Sequence, residues 1–206
     1  MVYCVPKSKV MKRTTIDVLL KRSGGVVRTD DIVKAGYSKT TVVNFVKAGV
    51  LERVAHGIYV RPGEMYDEMY VIQLRSRRIV FSHETALWLN GLSDREPFEY
   101  HVTIPTGAPL GGLLRTACRC HYVSGELHGV GMVKRKTAFG NEVQCYDAER
   151  TICDIVRHEK RVGVEALVGG IKAYVQSDAK DLIRLMETAR MFGVDKEISR
   201  YMGVLT

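Results

Sequence analysis

The sequence lacks any long apolar run, and this absence excludes a membrane-spanning helix. No stretch approaches the roughly 20 apolar residues that such a helix needs. The residues from Met1 to Lys7 also lack the apolar core of a signal peptide. Cysteine is scarce as well, because an odd count of 5 in 206 residues does not build the disulfide framework of a small secreted domain. We therefore expect a globular protein of the reducing cytoplasm.

The sequence also lacks the motifs of several enzyme classes. It contains no phosphate-binding loop of the form G-x-x-x-x-G-K-[ST]. Metal-dependent nucleases hold Mg²⁺ with clustered carboxylates. The nearest candidate, Glu126 with Glu142 to Gln144, lacks the lysine usually found two residues after the acid. No Cys–His or Ser–His pair stands out as a nucleophile. These absences favour a protein that is not an enzyme.

Metal ligands are concentrated at one point, the segment Cys118-Arg119-Cys120-His121. The segment alternates as a strand does, so Cys118, Cys120 and Tyr122 would share one face and His121 would lie on the other. Structural zinc usually takes cysteine pairs that are two to four residues apart. Buried thiols without a metal are common. We therefore expect neither a metal ion nor a cofactor.

Acidic residues are scarce in the first part of the chain, which holds all of the net charge of +8. Residues 1–62 contain 12 Lys and Arg against 4 Asp and Glu, whereas residues 63–206 contain 19 of each kind. Neutralisation of phosphates by Lys and Arg supplies most of the non-specific affinity of proteins for DNA. The charge distribution therefore indicates double-stranded DNA as a partner of the first part.

The segment from Ser38 to Leu51 predicts a helix that would read this DNA. Ser38 is a suitable N-cap, and Gly49 stands where the helix should end. One arc of the helix is apolar and comprises Val42, Phe45, Val46, Gly49 and Val50, with Val43 at its margin. The opposite arc comprises Thr40, Thr41, Asn44, Lys47 and Ala48. Amide, hydroxyl and ammonium groups suit the base edges of a major groove, although an ordinary solvated helix face has the same composition.

The neighbouring segments favour the DNA-binding interpretation. Residues 14–25 predict a helix that ends at glycine, and residues 29–36 predict a short helix capped by Thr29. Residues 51–61 alternate around a loop with Gly57 and predict a β-hairpin. This order is that of a winged helix-turn-helix. The candidate DNA-contacting residues are Arg28, Thr29, Ser38, Lys39, Thr40, Thr41, Asn44, Lys47, Arg53, His56 and Arg61.

A second domain is expected after the break at Arg61-Pro62-Gly63. Residues 64–206 alternate between helical and extended patterns and end in several helices, one of them capped by Ser177. The fold class is therefore α/β or α+β. We expect a DNA-binding domain over residues 1–62 and a larger mixed α/β domain over residues 63–206.

Four strings of the sequence resemble the AbiEi antitoxins of bacterial type IV toxin–antitoxin systems, which act in abortive infection, a phage defence. Two strings belong to the expected winged helix and cover residues 25–32 and 50–60. The other two run from Phe81 to Leu87 and from Tyr146 to Asp154 and resemble the C-terminal domain of that family. The strings follow the family's domain order, and the resemblance extends over roughly the full length of the chain.

The resemblance implies an antitoxin that represses its own operon by binding inverted repeats in the promoter. It also implies that the C-terminal domain counters a nucleotidyltransferase-like toxin without forming a stable complex with it. Two alternatives remain open from the residues alone. One is a transcriptional regulator whose second domain senses a ligand, and the other is a DNA-targeted, metal-dependent nuclease.

Overall fold

A computed structural model of the chain describes residues 7–109 and 111–205. The predicted absence of a signal peptide concerns Met1 to Lys7. All of these residues except Lys7 lie outside the described part of the chain, and Cys4 is among them. The chain forms two compact units, one reaching Arg75 and including Lys136–Asn141, the other comprising Ser76–Arg135 and the residues from Glu142 onward. Among the helices of the described residues, none has the length and apolar character needed to cross a bilayer.

The first unit contains four helices and a small antiparallel sheet. In chain order its elements are α1 Lys7–Arg22, β1 Val26–Arg28, α2 Thr29–Lys34, α3 Lys39–Lys47, β2 Glu52–Ala55, β3 Ile58–Val60 and α4 Glu68–Arg75. The strand order is β1-β3-β2, so the predicted hairpin of β2 and β3 is joined at one edge by β1. The core between the helices and this sheet comprises Ile16, Leu20, Val27, Ile32, Val42 and Leu51.

The first unit extends past residue 62, where the sequence predicted a domain boundary. Val71 on α4 packs against Val26, Ile58 and Val60 of the sheet. The buried Asp67 donates its backbone N–H to the carbonyl of Gly24 at 2.9 Å. Its carboxylate accepts hydrogen bonds from Thr137 at 2.5 Å and Asn141 at 2.8 Å. The Pro62-Gly63 break is therefore a turn inside the unit, because the chain returns to the same core after it.

The second unit is a mixed sheet with helices, in agreement with the predicted α/β class. Its elements are β4 Val80–Phe81, α5 His83–Leu89, β5 Tyr100–Pro105, α6 Gly112–Ala117, β6 Cys118–Val123, α7 Gly125–His128, β7 Met132–Lys136, β8 Glu142–Tyr146, α8 Ala148–Arg157, α9 Val164–Gln176, α10 Leu182–Phe192 and α11 Asp195–Leu205. The strand order is β6-β5-β4-β8-β7. Strand β4 runs antiparallel to β5 and parallel to β8, and β5 runs parallel to β6.

Helix α8 is the centre of the second unit, and it contains a buried ion pair. Asp147 caps the helix by accepting the backbone N–H of Arg150 at 2.8 Å. The Arg150 side chain, 1% exposed, donates to the Asp154 carboxylate at 3.0 Å. Its guanidinium lies over the rings of Tyr146 and Phe192, with distances of 4.1 and 3.9 Å to the ring centroids. The string from Tyr146 to Asp154 is therefore a packing element in which Arg150 pairs with Asp154, although Asp154 Oδ2 has no hydrogen-bond partner among the described residues.

The predicted cap at Ser177 is wrong, because α9 continues as far as Gln176 and Ser177 is its C-cap. The next helix, α10, begins after Asp181, whose carboxylate accepts the backbone N–H of Arg184 at 2.9 Å. The hydroxyl of Tyr174 on α9 donates to the Asp181 carbonyl at 3.1 Å and fixes this turn. Aspartate and serine are both good N-caps, and only the local backbone decides which of the two is used.

Candidate nucleic-acid interface

Helix α3 is capped as its sequence predicts. The Ser38 hydroxyl accepts the backbone N–H of Thr41 at 3.1 Å, and the two side-chain oxygens are 2.9 Å apart. At the other end, Gly49 adopts the left-handed conformation with a φ of 64°, which ends the helix. The hydroxyls of Ser38 and Thr41 are therefore engaged with each other at the start of the helix. Their geometry suits them to fixing this end of α3.

The solvent-facing side of α3 carries polar and basic groups and one valine. Lys39, Thr40, Asn44 and Lys47 are exposed, and so is Val43, at 51%. Val43 was placed at the margin of the apolar arc from sequence, and the structure puts it on the outer face. The sequence contains no Asp or Glu from Ile32 to Leu51. This face therefore presents hydrogen-bonding groups, two ammonium groups and a branched apolar group without a competing carboxylate on the helix.

The turn between α2 and α3 fixes the position of α3 in the first unit. Gly36 has a φ of 91°, a backbone conformation that residues other than glycine rarely adopt, so glycine suits this turn. The next residue, Tyr37, donates its backbone N–H to the Ile32 carbonyl at 3.2 Å. Its ring meets the Phe45 ring of α3 edge to face, with centroids 5.8 Å apart. Since Val42 is buried in the core as well, α3 is held along its inner face.

The hairpin of β2 and β3 pairs an arginine of β2 with a histidine of its loop at the surface. The loop consists of His56 and Gly57, because Ala55 pairs with Ile58 across the hairpin. Arg53 donates from Nη2 to His56 Nδ1 at 2.8 Å and from Nε to the Ala55 carbonyl at 3.3 Å. Both side chains are exposed. The loop therefore holds one guanidinium group in a defined place at its tip.

Thr29 holds this loop against the start of α2. Its backbone N–H donates to the Gly57 carbonyl at 2.9 Å, and its hydroxyl lies 3.5 Å from the same oxygen. The predicted cap at Thr29 is wrong, because Arg28 is the N-cap and Thr29 is the first helical residue. The start of the helix is stabilised instead by Asp31, whose carboxylate accepts the backbone N–H of Arg28 at 3.3 Å. Thr29 is therefore placed to position the hairpin loop.

Several of the predicted residues line one shallow depression in the first unit. Arg28, Thr29, Lys39, Arg53 and His56 all lie on its wall, between the start of α3 and the hairpin loop. Arg28 is partly neutralised there, because its Nη2 lies 3.3 Å from the carboxylate of Asp30. Lys39 and Arg53 supply the other positive charges. A concave surface of this kind, beside an exposed helix, can take a phosphate backbone.

Arg61 lies on a different surface of the first unit from the other predicted residues. It follows the end of β3 and forms ion pairs with Asp17 and, at 3.2 Å, with Glu64. It lines a separate depression together with Lys21 and Phe139. Two carboxylates already neutralise its guanidinium group. The geometry therefore gives no support to the predicted phosphate contact by Arg61.

The segment from Cys118 to Val123 is a strand, as predicted, but burial does not alternate regularly along it, since Cys118 is buried, Cys120 and His121 are half-buried and Tyr122 is exposed. Burial raises the pKa of the Cys120 thiol, which keeps it protonated. The cysteines of the described residues form no disulfides with one another; they are Cys118, Cys120, Cys145 and Cys153. His121 lies beside His83 and His101, two histidines that the sequence analysis did not connect with it. Their separation along the chain hides this cluster from any search for local spacing.

Comparison with known proteins adds a family and a fold. The family described as "Transcriptional regulator, AbiEi antitoxin" matches residues 15–62. No curated protein matches the sequence. The crystal structure of the RV2827C protein from Mycobacterium tuberculosis covers 95% of this chain, which in turn covers 80% of that one, with a TM-score of 0.59. The two sequences are 14% identical, so this likeness concerns the fold alone.

The matched residues contain α2, α3 and the hairpin of β2 and β3, which together carry the exposed helix face and the basic loop. The family assignment and the geometry thus concern the same segment. Residues 15–62 are thus similar to the AbiEi antitoxin family of transcriptional regulators.

Proposed function

We propose that this chain is a DNA-binding antitoxin that represses its own operon and is not an enzyme. In this proposal the first unit is a winged helix-turn-helix, with α2 and α3 as the helix pair and the β2–β3 hairpin as the wing. The observation that carries it is the acid-free outer face of α3, which adjoins the basic depression lined by Lys39 and Arg53. An α-helix fits the major groove of B-form DNA with such a face toward the bases.

The middle of α3 would read the base edges. Asn44 can form two hydrogen bonds with adenine, and Lys47 can reach guanine or a phosphate. Thr40 offers a hydroxyl to either kind of partner. Val43, which is half-exposed on the same face, offers methyl groups to the methyl group of a thymine. This part of α3 would therefore supply most of the sequence specificity.

The ends of the motif would hold the phosphate backbone. Lys39 lies at the start of α3, and Arg53 and His56 lie at the tip of the wing. Arg28 would contribute less, because Asp30 already neutralises it in part. Thr29 would act indirectly by holding the hairpin loop in place. Ser38 and Thr41 would act indirectly by fixing the start of α3. These contacts carry little sequence information, but they fix the register of the protein on the duplex.

The family assignment supports a toxin partner for the second unit. We propose that this unit counters a nucleotidyltransferase-like toxin of the same operon in the bacterial cytoplasm, and that the two proteins form no stable complex. The second unit has 17 Lys and Arg against 16 Asp and Glu, a net charge of only +1, so it would contribute little non-specific DNA affinity. Operator recognition would use two copies of α3 on an inverted repeat, one for each half-site.

The test measures repression and growth rescue with the same full-length variants. Asn44→Ala combined with Lys47→Ala should abolish repression of a reporter driven by the chain's own promoter. The same variant, expressed from a foreign promoter, should still rescue cells from the co-expressed toxin. Lys172→Ala, which removes an exposed lysine from α9, is the matched control and should leave both activities unchanged.

Other outcomes would change the proposal in defined ways. If the double variant still represses, α3 is not the recognition helix. If the native chain represses the promoter but never rescues growth, the protein is a regulator without antitoxin activity. Loss of rescue in a well-folded double variant would mean that neutralisation depends on DNA binding.

A further inference from the structure

Three histidines of the second unit converge, although they belong to different elements. His83 begins α5, His101 lies on β5 and His121 lies on β6. One ring nitrogen of each lies within 4.8 Å of those of the other two. His101 Nδ1 and His121 Nε2 are 3.4 Å apart. His83 and His101 are 1% and 4% exposed, so the cluster is largely shielded from solvent.

The other ring nitrogens of His83 and His101 face polar groups, which orients both rings. His83 Nδ1 lies 3.0 Å from the hydroxyl oxygen of Ser82, which accepts a hydrogen bond from Thr103 at 2.8 Å. His101 Nε2 lies 3.9 Å from the carboxylate of Glu84. Metal-ligating histidines commonly direct the nitrogen that does not bind the metal toward such partners, which fix the ring and its tautomer. His101 Nδ1 would then be one ligating atom, and His83 Nε2 would be another after exchanging its 3.1 Å contact with His158 Nδ1 for the metal ion.

We propose that His83, His101 and His121 form a binding site for one divalent transition-metal ion, preferably Zn²⁺. Imidazole nitrogen suits zinc and its first-row neighbours. Three histidines with an open fourth position form a known type of zinc site. The spacing of the thiols next to His121 gave no reason to expect a metal ion, because the other two histidines are distant along the chain. The proposed site uses no thiol and joins segments that are distant along the chain.

The separations of the ring nitrogens suit one ion, but two of the rings must reorient to bind it. Tetrahedral coordination at about 2.0–2.1 Å from zinc to nitrogen separates the ligand atoms by about 3.3–3.4 Å. The distance between His101 Nδ1 and His121 Nε2 already has this value. The rings of His83 and His121 are stacked, with centroids 3.5 Å apart and an angle of 15° between planes. These two rings must tilt out of the stack so that both lone pairs point toward one ion.

The backbone at His83 also supports a specific role for this residue. Within the described part of the chain, it is the one residue other than glycine with a positive φ, which is 50°. Residues other than glycine rarely adopt this backbone conformation. Backbone strain of this kind is concentrated at functional sites. The conformation occurs where β4 passes into α5, at the first residue of the helix. It therefore occurs at a residue whose ring belongs to the cluster.

The surroundings keep the rings neutral but also limit the affinity. Burial lowers the pKa of His101 to about 4 and that of His121 to about 3, and neutral imidazole is the form that binds metals. Arg119 and Arg161 lower the pKa of His121 further, and the same positive charges repel a cation. His158 adds a fourth ring, with Nδ1 at 3.1 Å from His83 Nε2. We therefore expect weaker binding than at a site with carboxylate ligands.

The experiment uses the full-length chain without a polyhistidine tag, after treatment with a chelator. Calorimetric titration with Zn²⁺ should give one ion per chain. Titration with Co²⁺ should give the visible absorption bands of four-coordinate cobalt, without a near-ultraviolet band from thiolate ligands. His121→Gln should weaken binding at least tenfold. His128→Gln removes a histidine outside the cluster and is the matched control, which should bind as the native chain does.

A second variant covers the case in which His121→Gln does not fold. Glu84→Gln should weaken Zn²⁺ binding roughly 10–100-fold, as the loss of an outer partner of a metal-bound histidine does. It should leave the stoichiometry at one ion per chain. The proposal is overturned if the native chain binds no Zn²⁺ or if a folded His121→Gln binds it as tightly as the native chain does. A thiolate band that disappears in Cys120→Ser would overturn it as well.

Discussion

Two arginines of the first unit allow a paired test of which surface meets DNA. Arg53 lies at the tip of the hairpin and contacts His56 and a carbonyl of its own loop. Arg61 forms ion pairs with Asp17 and Glu64. Arg53→Gln and Arg61→Gln remove the same charge from the same unit. We expect the first change to weaken DNA binding and the second to have little effect, because two carboxylates already neutralise Arg61.

The magnitude follows from counterion release. Each phosphate contact contributes about 0.9 to the slope of log affinity against log salt concentration. If Arg53 makes one such contact, Arg53→Gln should flatten the slope by about 0.9. Between about 50 and 200 mM salt, the variant should then lose roughly 3.5-fold less affinity than the native chain does. The slope for Arg61→Gln should equal that of the native chain within error.

The assay is fluorescence anisotropy of the full-length chain with a duplex of random sequence, measured at several salt concentrations. Random sequence suffices because contacts with phosphates do not depend on the bases. An unchanged slope for Arg53→Gln would show that the hairpin points away from DNA. If Arg61→Gln flattened the slope as strongly as Arg53→Gln, the assignment of the two surfaces would be refuted.

Three further changes test the specificity and the architecture of the chain. Val43→Ala should weaken promoter binding by about 1 kcal/mol, since it removes apolar contact area, and replacing thymine by uracil in the duplex should abolish the difference between native and variant. Asp67→Ala should lower the free energy of unfolding by about 3 kcal/mol in denaturant titrations, because it leaves buried donors without their charged acceptor; an unchanged midpoint would show that residues 136–141 do not stabilise the first unit. Arg150→Met should cost about 3–5 kcal/mol by leaving Asp154 buried without its partner, whereas Arg150→Met with Asp154→Leu should recover most of that loss; equal losses in both variants would contradict a role for the ion pair.

Features that depend on a few consecutive residues could be predicted from the sequence. The Ser38 cap, the glycine end of α3 and the hairpin around Gly57 each depend on neighbouring side chains and on local backbone preference. In each case one short segment determines both the residue type and the conformation.

Other features depend on contacts between distant segments, and the sequence pattern did not contain them. The first unit includes residues 136–141 because Asp67 bonds to Thr137 and Asn141, so the Pro62-Gly63 turn was mistaken for a boundary. Arg150 would be expected at a helix surface, yet it is buried over two aromatic rings.

The histidine cluster in the second unit depends on strand pairing. It follows from the parallel register of β5 with β6, which sets His121 beside Thr103 and Arg119 beside His101. That register brings His101 and His121 onto one face of the sheet, close to the start of α5. No spacing rule along the chain could reveal this arrangement, because the residues meet only after the sheet has formed.

The most direct test of DNA recognition by α3 is the affinity of the full-length chain for its own promoter, compared with a scrambled duplex of equal length at equal salt. The native chain should bind the promoter about a thousandfold more tightly or better, as specific DNA-binding proteins do. Asn44→Ala should lose about 1–3 kcal/mol on the promoter and much less on the scrambled duplex. Equal native affinity for the two duplexes, or an unchanged preference in Asn44→Ala, would contradict the assignment of α3 as the recognition helix.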